Sequence, residues 1–333
     1  MSSLKKAQFL GRWNTRIVFA ECEQDYETEA ARILSHGEVV ALPTETVYGL
    51  AADALTSTAC ARIFEVKERP LYDPLIVHLP TLAWLPKICE SSPLAERLVK
   101  AFWPGPLTLV LRRRKNVPDI VTANQETVAV RMSAHPVFQK VIEGFGRPLA
   151  APSANRFGRI SPTQAVHVES ELGGRIPLII DGGACLHGIE STIVSIQSDR
   201  LFLYRQGPVT QEQLEEFAPV ELMKKGKDIT PGSLKSHYAP HTPCRFWEGD
   251  LPPAGLRVGL LAWNSAGENF EMVENLSPRR DFREAAAHLY AALRKLDDAG
   301  LDLILVEPLP EVGLGAAIME RLSKATWESR KSN

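Results

Sequence analysis

Lys67 and Arg69 stand two apart and are followed by Pro70 and Pro74 in KERPLYDPLIVHL (67–79). Prolines fix the backbone and exclude helix, so both cations sit on a stiff loop at the mouth of a strand, an arrangement suited to phosphates. Arg131 lies inside the apolar run TVAVRM (127–132), and Arg205 closes RLFLYR (200–205). A guanidinium in such a strand either faces solvent or meets a carboxylate or phosphate, because burying it unpaired is costly. Loops rich in hydroxyls and amides accompany these cations. LPTETVYGLAADA (42–54) carries Thr44 and Thr46, and APSANRFGRISPT (151–163) carries Ser153, Asn155 and Ser161. DGGACLHGIESTIVSI (181–196) places Gly182 and Gly183 before Ser191 and Thr192. Each loop taken singly has an ordinary reading as a cap or turn. Together with the cations they describe a cleft for a small anionic ligand.

Short apolar runs alternate with helical patterns over the first two-thirds of the chain. Strands are expected over 38–43, 75–79, 107–113, 127–132, 148–153, 177–181, 191–196 and 200–205, and helices over 26–36, 57–67, 93–102, 135–143 and 163–172. Some strands follow one another with only a turn between, which points to a mixed sheet. The stretch ELMKKGKDITPGSLKSHYAPHTPC, beginning at Glu221, has no sustained period. It is too long for an ordinary loop and reads as a linker or a functional segment. Beyond it, strand (256–263), helix (280–300), strand (301–307) and helix (313–325) follow in the order of a small parallel α/β unit. The expected division is an N-terminal extension (1–24), a first domain (25–215), a linker or lid (216–250) and a second α/β domain (251–333).

Composition removes several classes of function. With 44% hydrophobic residues the chain can fill a core, and 38 basic against 40 acidic residues leave a net charge of −2. Bulk charge therefore does not hold it on nucleic acid. No apolar run approaches the ~20 residues of a membrane span, and the N-terminus has no signal-like apolar stretch. Five cysteines without a CxxC pair argue against a zinc ribbon or disulfide framework and for a reducing cytoplasm. No P-loop, GxGxxG, HExxH or GxSxG is present. His237 and His241 are separated by Pro240, which breaks the helix that would make them converge on a metal. The basic run Arg112–Lys115 is a solvated turn or a phosphate contact.

PTETVYGL, K-x-R-P…PLIVH, FWPGPLTLVL (102–111), VAVRM, PLAAPSAN and IDGG…G-x-EST follow one another in an order that resembles the YrdC-like family over 25–215. Lys67, Arg69, Ser153 and Asn155 resemble its K-x-R…S-x-N signature. SHYAPHTP and the closing GLGAAIMERLSKA resemble its longer members. The resemblance implies a YrdC-like mixed-sheet α/β domain with a concave cleft, plus a smaller Rossmann-like parallel α/β domain. It implies synthesis of threonylcarbamoyl-AMP from L-threonine, bicarbonate and ATP with release of pyrophosphate, the first step of a tRNA modification. By position, Thr46, His78, Arg131, Ala151 and Ser191 would contact threonine. Arg69, Asp73, Thr127, Ser153, Ser161 and Arg205 would contact ATP, with Lys67 and Asn155 of the signature and Tyr238 of the linker. Lys67 and Arg69 would carry the catalytic charge. At position 73 the family also commonly has Asn. Mg²⁺ would arrive with ATP, with no protein ligands and no organic cofactor. The product would pass to a tRNA threonylcarbamoyltransferase, with direct tRNA binding weak or absent and no membrane contact.

Overall fold

The computed structural model describes residues 12–223 and 238–326. Its larger sheet contains β1 (Arg16–Phe19), β2 (Val40–Leu42), β3 (Gly49–Asp53), β4 (Ile76–His78), β5 (Leu107–Arg112), β6 (Thr127–Arg131), β7 (Leu149–Ala150), β8 (Leu178–Asp181), β9 (Thr192–Gln197), β10 (Arg200–Arg205) and β11 (Val220–Leu222). The spatial order is β1-β8-β2-β3-β7-β4-β6-β5-β9-β10-β11. Parallel and antiparallel neighbours both occur, as in the parallel pair β4–β6 beside the antiparallel pair β5–β6, so the sheet is mixed.

Every apolar run expected as a strand up to residue 205 pairs into this sheet. Three further strands join it. β1 lies within the expected extension and pairs with β8 as an edge strand. β3 is small-residue sequence, GLAAD, with little strand propensity of its own. It is fully buried and held by antiparallel pairing to β2 and β7. β11 falls within the expected linker and pairs with β10.

Helices α1 (Tyr26–Ser35), α2 (Ser57–Lys67), α3 (Pro93–Phe102), α4 (Pro136–Phe145) and α5 (Ala165–Leu172) cover the sheet. At the β8–β2–β3 end both faces are buried. Ala41 and Ile179 join the core beneath α2 and α5, while Val40, Leu42, Leu178 and Ile180 pack with residues of α1 and α4. Farther along, Val77, Leu109, Val128, Val130 and Val194 point into the first core. Their alternate neighbours, His78, Thr127, Arg131 and Ser195, necessarily project from the opposite face. The uncovered part of that face is the cleft.

The second sheet is parallel, with β12 (Cys244–Phe246), β13 (Val258–Ala262), β14 (Met272–Asn275) and β15 (Leu303–Val306) in the order β12-β15-β13-β14. β12 lies within residues expected as linker, and β14 has no counterpart in the sequence reading. Helix α6 (Phe282–Asp298) is capped by Asp281, whose side chain accepts from the backbone N–H of Arg283 and Glu284. Its stripe of Ala286, Leu289, Leu293 and Leu296 is buried, as the helical spacing requires. Helix α7 (Leu314–Ala325) completes the domain.

The two domains meet through ion pairs. Arg294–Glu171 (3.1 Å) and Arg159–Asp297 (3.3 Å) flank the contact. At its centre Arg321 of α7 donates from Nε to Glu190 at 2.9 Å, and the Tyr290 hydroxyl of α6 donates to the same carboxylate. Burial acts to raise the Glu190 pKa, but Arg321, Arg205 and hydrogen bonds from Ser161 and Arg321 outweigh it and hold it at about 2. A carboxylate depressed in this way stabilises the fold above its ordinary value of 4.5, and that contribution is lost as the pH falls towards 2. Compared with the neutral double variant Glu190→Gln/Arg321→Met, wild-type stability should therefore fall by an extra amount on the order of 3 kcal/mol between about pH 5 and pH 2. Urea unfolding at a series of pH values measures this; a pH-independent difference would refute it.

Candidate active site

The cleft forms where strand ends and loops converge. β4 and β6 run side by side with His78 opposite Arg131, so both side chains emerge at the carboxyl ends of parallel neighbours. A β-bulge between Leu203 and Arg205 shifts the register against β9 and turns the guanidinium towards Ser191. Gly182 lets another loop pass close by, since an added Cβ would lie 2.8 Å from Pro43 and 2.9 Å from His135. One narrow cavity, with about 50 Å³ of free space, is lined by Thr46, His78, Arg131, Ala151 and Ser191 together with Arg69, Ser153, Arg205 and Tyr238.

Arg131 is buried and paired. Its guanidinium forms an ion pair with Glu45 and donates to Thr46 Oγ1 at 3.1 Å, while its Nε has no partner. Glu45 also accepts from the Ser133 hydroxyl. Burial raises the Glu45 pKa, but Arg131 and Ser133 bring it below the usual carboxylate range. Glu45, which the sequence did not single out although it sits between the two threonines of PTETVYGL, is the carboxylate that pairs with Arg131. His78 packs on Phe138 with ring centroids 4.7 Å apart. Burial and the Arg131 charge push its pKa well down, against a backbone hydrogen bond to Ala151. It is a neutral imidazole whose buried Nδ1 has no hydrogen-bond partner.

On the other side of the cavity, Arg69 donates from Nε to the Asp73 carbonyl (3.1 Å) and from Nη2 to the Pro74 carbonyl (2.7 Å). The Asp73 carboxylate lies 3.0 Å from Arg69 Nη2, yet neither of its oxygens receives a well-aligned hydrogen bond. The contact is electrostatic without good hydrogen-bond geometry. Burial accordingly raises the Asp73 pKa despite Arg69, Lys67 and Arg205. Arg205 donates from Nε to the Ser191 carbonyl (2.9 Å) and from Nη2 to its hydroxyl (3.0 Å), which also bonds Thr108 Oγ1 at 2.8 Å.

Five expected site residues lie outside the cavity wall. The Lys67 ammonium, expected to carry catalytic charge, donates to the backbone carbonyls of Ser153 and Asn155. Burial and then the Arg69 charge push its pKa well down. Its work in this structure is to hold the 153–155 loop. Asn155 knits the same loop, donating to the carbonyls of Arg156 (2.8 Å) and Arg159 (2.9 Å). Asp73 sits behind Arg69. Ser161 sits behind Glu190, to which its hydroxyl donates at 2.6 Å. Thr127 opens a second cavity of about 490 Å³ on the same sheet face, with Val110, Ala129, Ser195 and Tyr204. Four residues along β6 separate it from Arg131, roughly 13 Å of strand, over a floor of Ile76, Ala129 and Ile193.

Tyr238 has a left-handed backbone (φ 64°) and enters from the second-domain side. Its buried ring stacks on Tyr290 at 5.6 Å, with the Arg321 guanidinium 5.6 Å away. The lid expected over 216–250 rests largely on residues 224–237, which lie outside the described residues, as do His237, Pro231 and Gly232. Of the basic run 112–115, Arg113 pairs with Asp119 (2.6 Å) and Arg114 with Glu90 (3.2 Å).

Residues 32–207 match the Sua5, YciO and YrdC family model, described as Telomere recombination, and residues 209–326 match that of the threonylcarbamoyl-AMP synthase C-terminal domain. A threonylcarbamoyl-AMP synthase of Bacillus subtilis is 41% identical over 317 residues, covering 89% of this chain and 92% of its own. One from Pyrococcus abyssi is 40% identical over 321 residues, covering 89% and 93%. The solved structure of P. abyssi Sua5 complexed with L-threonine is similar with a TM-score of 0.85 at 38% identity, covering 94% of this chain and 97% of that one.

Because Lys67 grips a loop while Arg69 faces the cavity, the two cations should separate in a ligand-free experiment. The amides of Ala154 and Phe157 bond to the carbonyls of Tyr48 and Lys67. In Lys67→Met they should exchange hydrogen at least about tenfold faster, since charge-assisted hydrogen bonds of about 1.5–3 kcal/mol each are lost. In Arg69→Met they should be unchanged. Equal exchange in both variants would contradict the loop-holding role.

Proposed function

The chain belongs to the Sua5–YciO–YrdC family, in the long form with a threonylcarbamoyl-AMP synthase C-terminal domain, and we propose that it makes threonylcarbamoyl-AMP from L-threonine, bicarbonate and ATP in the cleft described above, releasing pyrophosphate. One observation carries the assignment of roles: one cavity is lined both by Arg131 with neutral His78, level with each other on β6 and β4, and by Arg69 and Arg205, whose charges interact. The first pair suits an amino acid, the second a chain of phosphates.

Arg131 receives the threonine carboxylate, presenting its unpartnered Nε while Glu45 and Thr46 hold the rest of the guanidinium. Thr46 and Ser191 lie within reach of the substrate amine and hydroxyl. His78, neutral with an unpartnered Nδ1, would accept a hydrogen bond from the substrate, and the threonine ammonium loses its proton to bulk base before it attacks. The freed amine adds to the carbon of bicarbonate and water leaves, giving a carbamate. A carbamate oxygen attacks the α-phosphorus of ATP, a P–O bond forms, and the bond to the bridging oxygen of pyrophosphate breaks. Arg69 and Arg205 neutralise the charge that builds on the leaving group. The nucleoside end extends along the apolar floor towards Thr127 and the larger cavity.

Mg²⁺ would enter with ATP in this proposal and would supply charge neutralisation on the phosphates. Among the described residues no group of three His, Cys, Asp or Glu side chains could hold a metal ion. No described helix is long and apolar enough to cross a membrane. A cytoplasmic location is supported by the free thiols of Cys22, Cys60, Cys89 and Cys185. The product is a reactive mixed anhydride, and a tRNA-modifying transferase is the class of enzyme that would consume it.

Pyrophosphate release from ATP should require both L-threonine and bicarbonate; release independent of either would overturn the proposal. Glu45→Gln should raise the threonine KM by about ten- to a hundredfold, the worth of a charged hydrogen bond, with the ATP KM within about twofold of wild type. Serine should replace threonine better than valine, because a valine side chain leaves buried hydroxyls unpaired. Valine competing as well as serine in a calorimetric titration would mean that the hydroxyl is not read.

A further inference from the structure

The central contact between the domains touches the groups that line the cleft. Glu190 lines the cavity and immediately precedes Ser191. Its carboxylate accepts from Ser161 Oγ in the first domain (2.6 Å), and from Tyr290 (3.0 Å) and Arg321 Nε (2.9 Å) in the second. Arg321 Nη2 also donates to the Glu190 carbonyl at 3.3 Å. Arg321 is only 1% exposed, so a full charge has been taken out of water to make this contact. Its neighbour Glu320 accepts from the backbone N–H of Gln206 (2.9 Å), the residue after Arg205. Between these anchors Gly207 packs so tightly that an added Cβ would lie 2.5 Å from the Thr192 nitrogen and 2.6 Å from the Glu190 oxygen. Helix α7 thus grips both chain segments, 190–192 and 205–207, that carry Ser191 and Arg205 into the cleft.

We infer that the C-terminal domain is a working part of the catalytic site, in which Arg321 is a positioning residue that acts through Glu190 to set Ser161, Ser191 and Arg205. This rests on the proposed function for the roles of those three residues. A contact that served docking alone would have no reason to run through the cavity wall; the Arg294–Glu171 pair stays outside that wall, with Arg294 also donating to the Ile160 carbonyl. It links α6 to α5 at 3.1 Å, and neither residue lines the cavity. Arg321 of the second domain is the largest contributor holding the charge on Glu190, so a family member lacking that domain must fix the corresponding loop by other means.

The test compares Arg321→Met, Arg321→Lys, Glu190→Gln/Arg321→Met and Glu171→Ala in the full chain. The double variant leaves no unpaired buried charge, which safeguards folding. ATP titration by calorimetry and pyrophosphate release at varied ATP and threonine are measured, with small-angle scattering to report domain docking. Arg321→Met should weaken ATP binding and lower kcat/KM for both substrates at least tenfold while the domains stay docked. The double variant should be no worse than Arg321→Met, Arg321→Lys should recover most of the loss, and Glu171→Ala should stay within twofold of wild type. Losses confined to undocked variants, or Arg321→Met no more impaired than Glu171→Ala, would reduce Arg321 to a docking contact and overturn the inference. Threonine-independent release by wild type would instead count against the proposed reaction, and the ATP titration would still decide the positioning role.

Discussion

Burying several cations at one end of a sheet is the constraint on which the rest of this molecule depends. Lys67, Arg69, Arg131, Arg205 and Arg321 are all removed from water there. A buried charge without partners costs several kcal/mol, so each recruits acceptors from other parts of the chain. Arg131 draws in Glu45, Lys67 the carbonyls of Ser153 and Asn155, Arg205 the Ser191 carbonyl and hydroxyl, and Arg321 the Glu190 carboxylate. Loops that would otherwise wander are tied to strand ends. The cleft is thereby organised before any ligand arrives, which is what electrostatic catalysis asks of a site.

The pairing is uneven, and the unevenness gives the cleft its sign. Arg131 pairs with Glu45 and Arg69 lies beside Asp73, while Lys67, Arg69 and Arg205 also donate to neutral carbonyl and hydroxyl oxygens. Three guanidinium groups, those of Arg69, Arg131 and Arg205, line the cavity, where an anionic substrate would meet them. Arg321 and Lys324 are matched by Glu190 and Glu320. The second domain therefore contributes rigidity and shape at this point more than net charge. Asp73 is the weak member, buried close to Arg69 but without a well-aligned hydrogen bond.

The pleat of the sheet makes such a site possible. Successive residues of β4 and β6 alternate between core and cleft, so Val77, Val128 and Val130 stabilise the fold while His78, Thr127 and Arg131 face the open side. Parallel pairing of these strands then brings His78 and Arg131 to one level at their carboxyl ends. The second domain closes one flank with Tyr238, Tyr290 and Arg321, and the first domain could not supply their ring and charge contacts alone.

Much of this was written locally. Apolar runs with helical spacing between them marked the strands of the mixed sheet and the α/β character of both domains, because burial pattern is a property of neighbouring residues. Arg131 and Arg205 stood out as charges in apolar strands, and the order of motifs carried the family. What stayed hidden depends on contacts far apart in sequence. GLAAD becomes a strand only when β2 and β7 offer their edges. Lys67 meets the loop only because the carbonyls of Ser153 and Asn155, 86 and 88 residues away, fold over it. Glu45 takes its meaning from Arg131 across 86 residues, and Glu190 from Arg321 across 131. A side chain's type sets which partners it needs, and that was legible; only the folded chain decides which atom meets the need, because a charge is paired by what lies within about 3 Å and not by what stands beside it in the sequence.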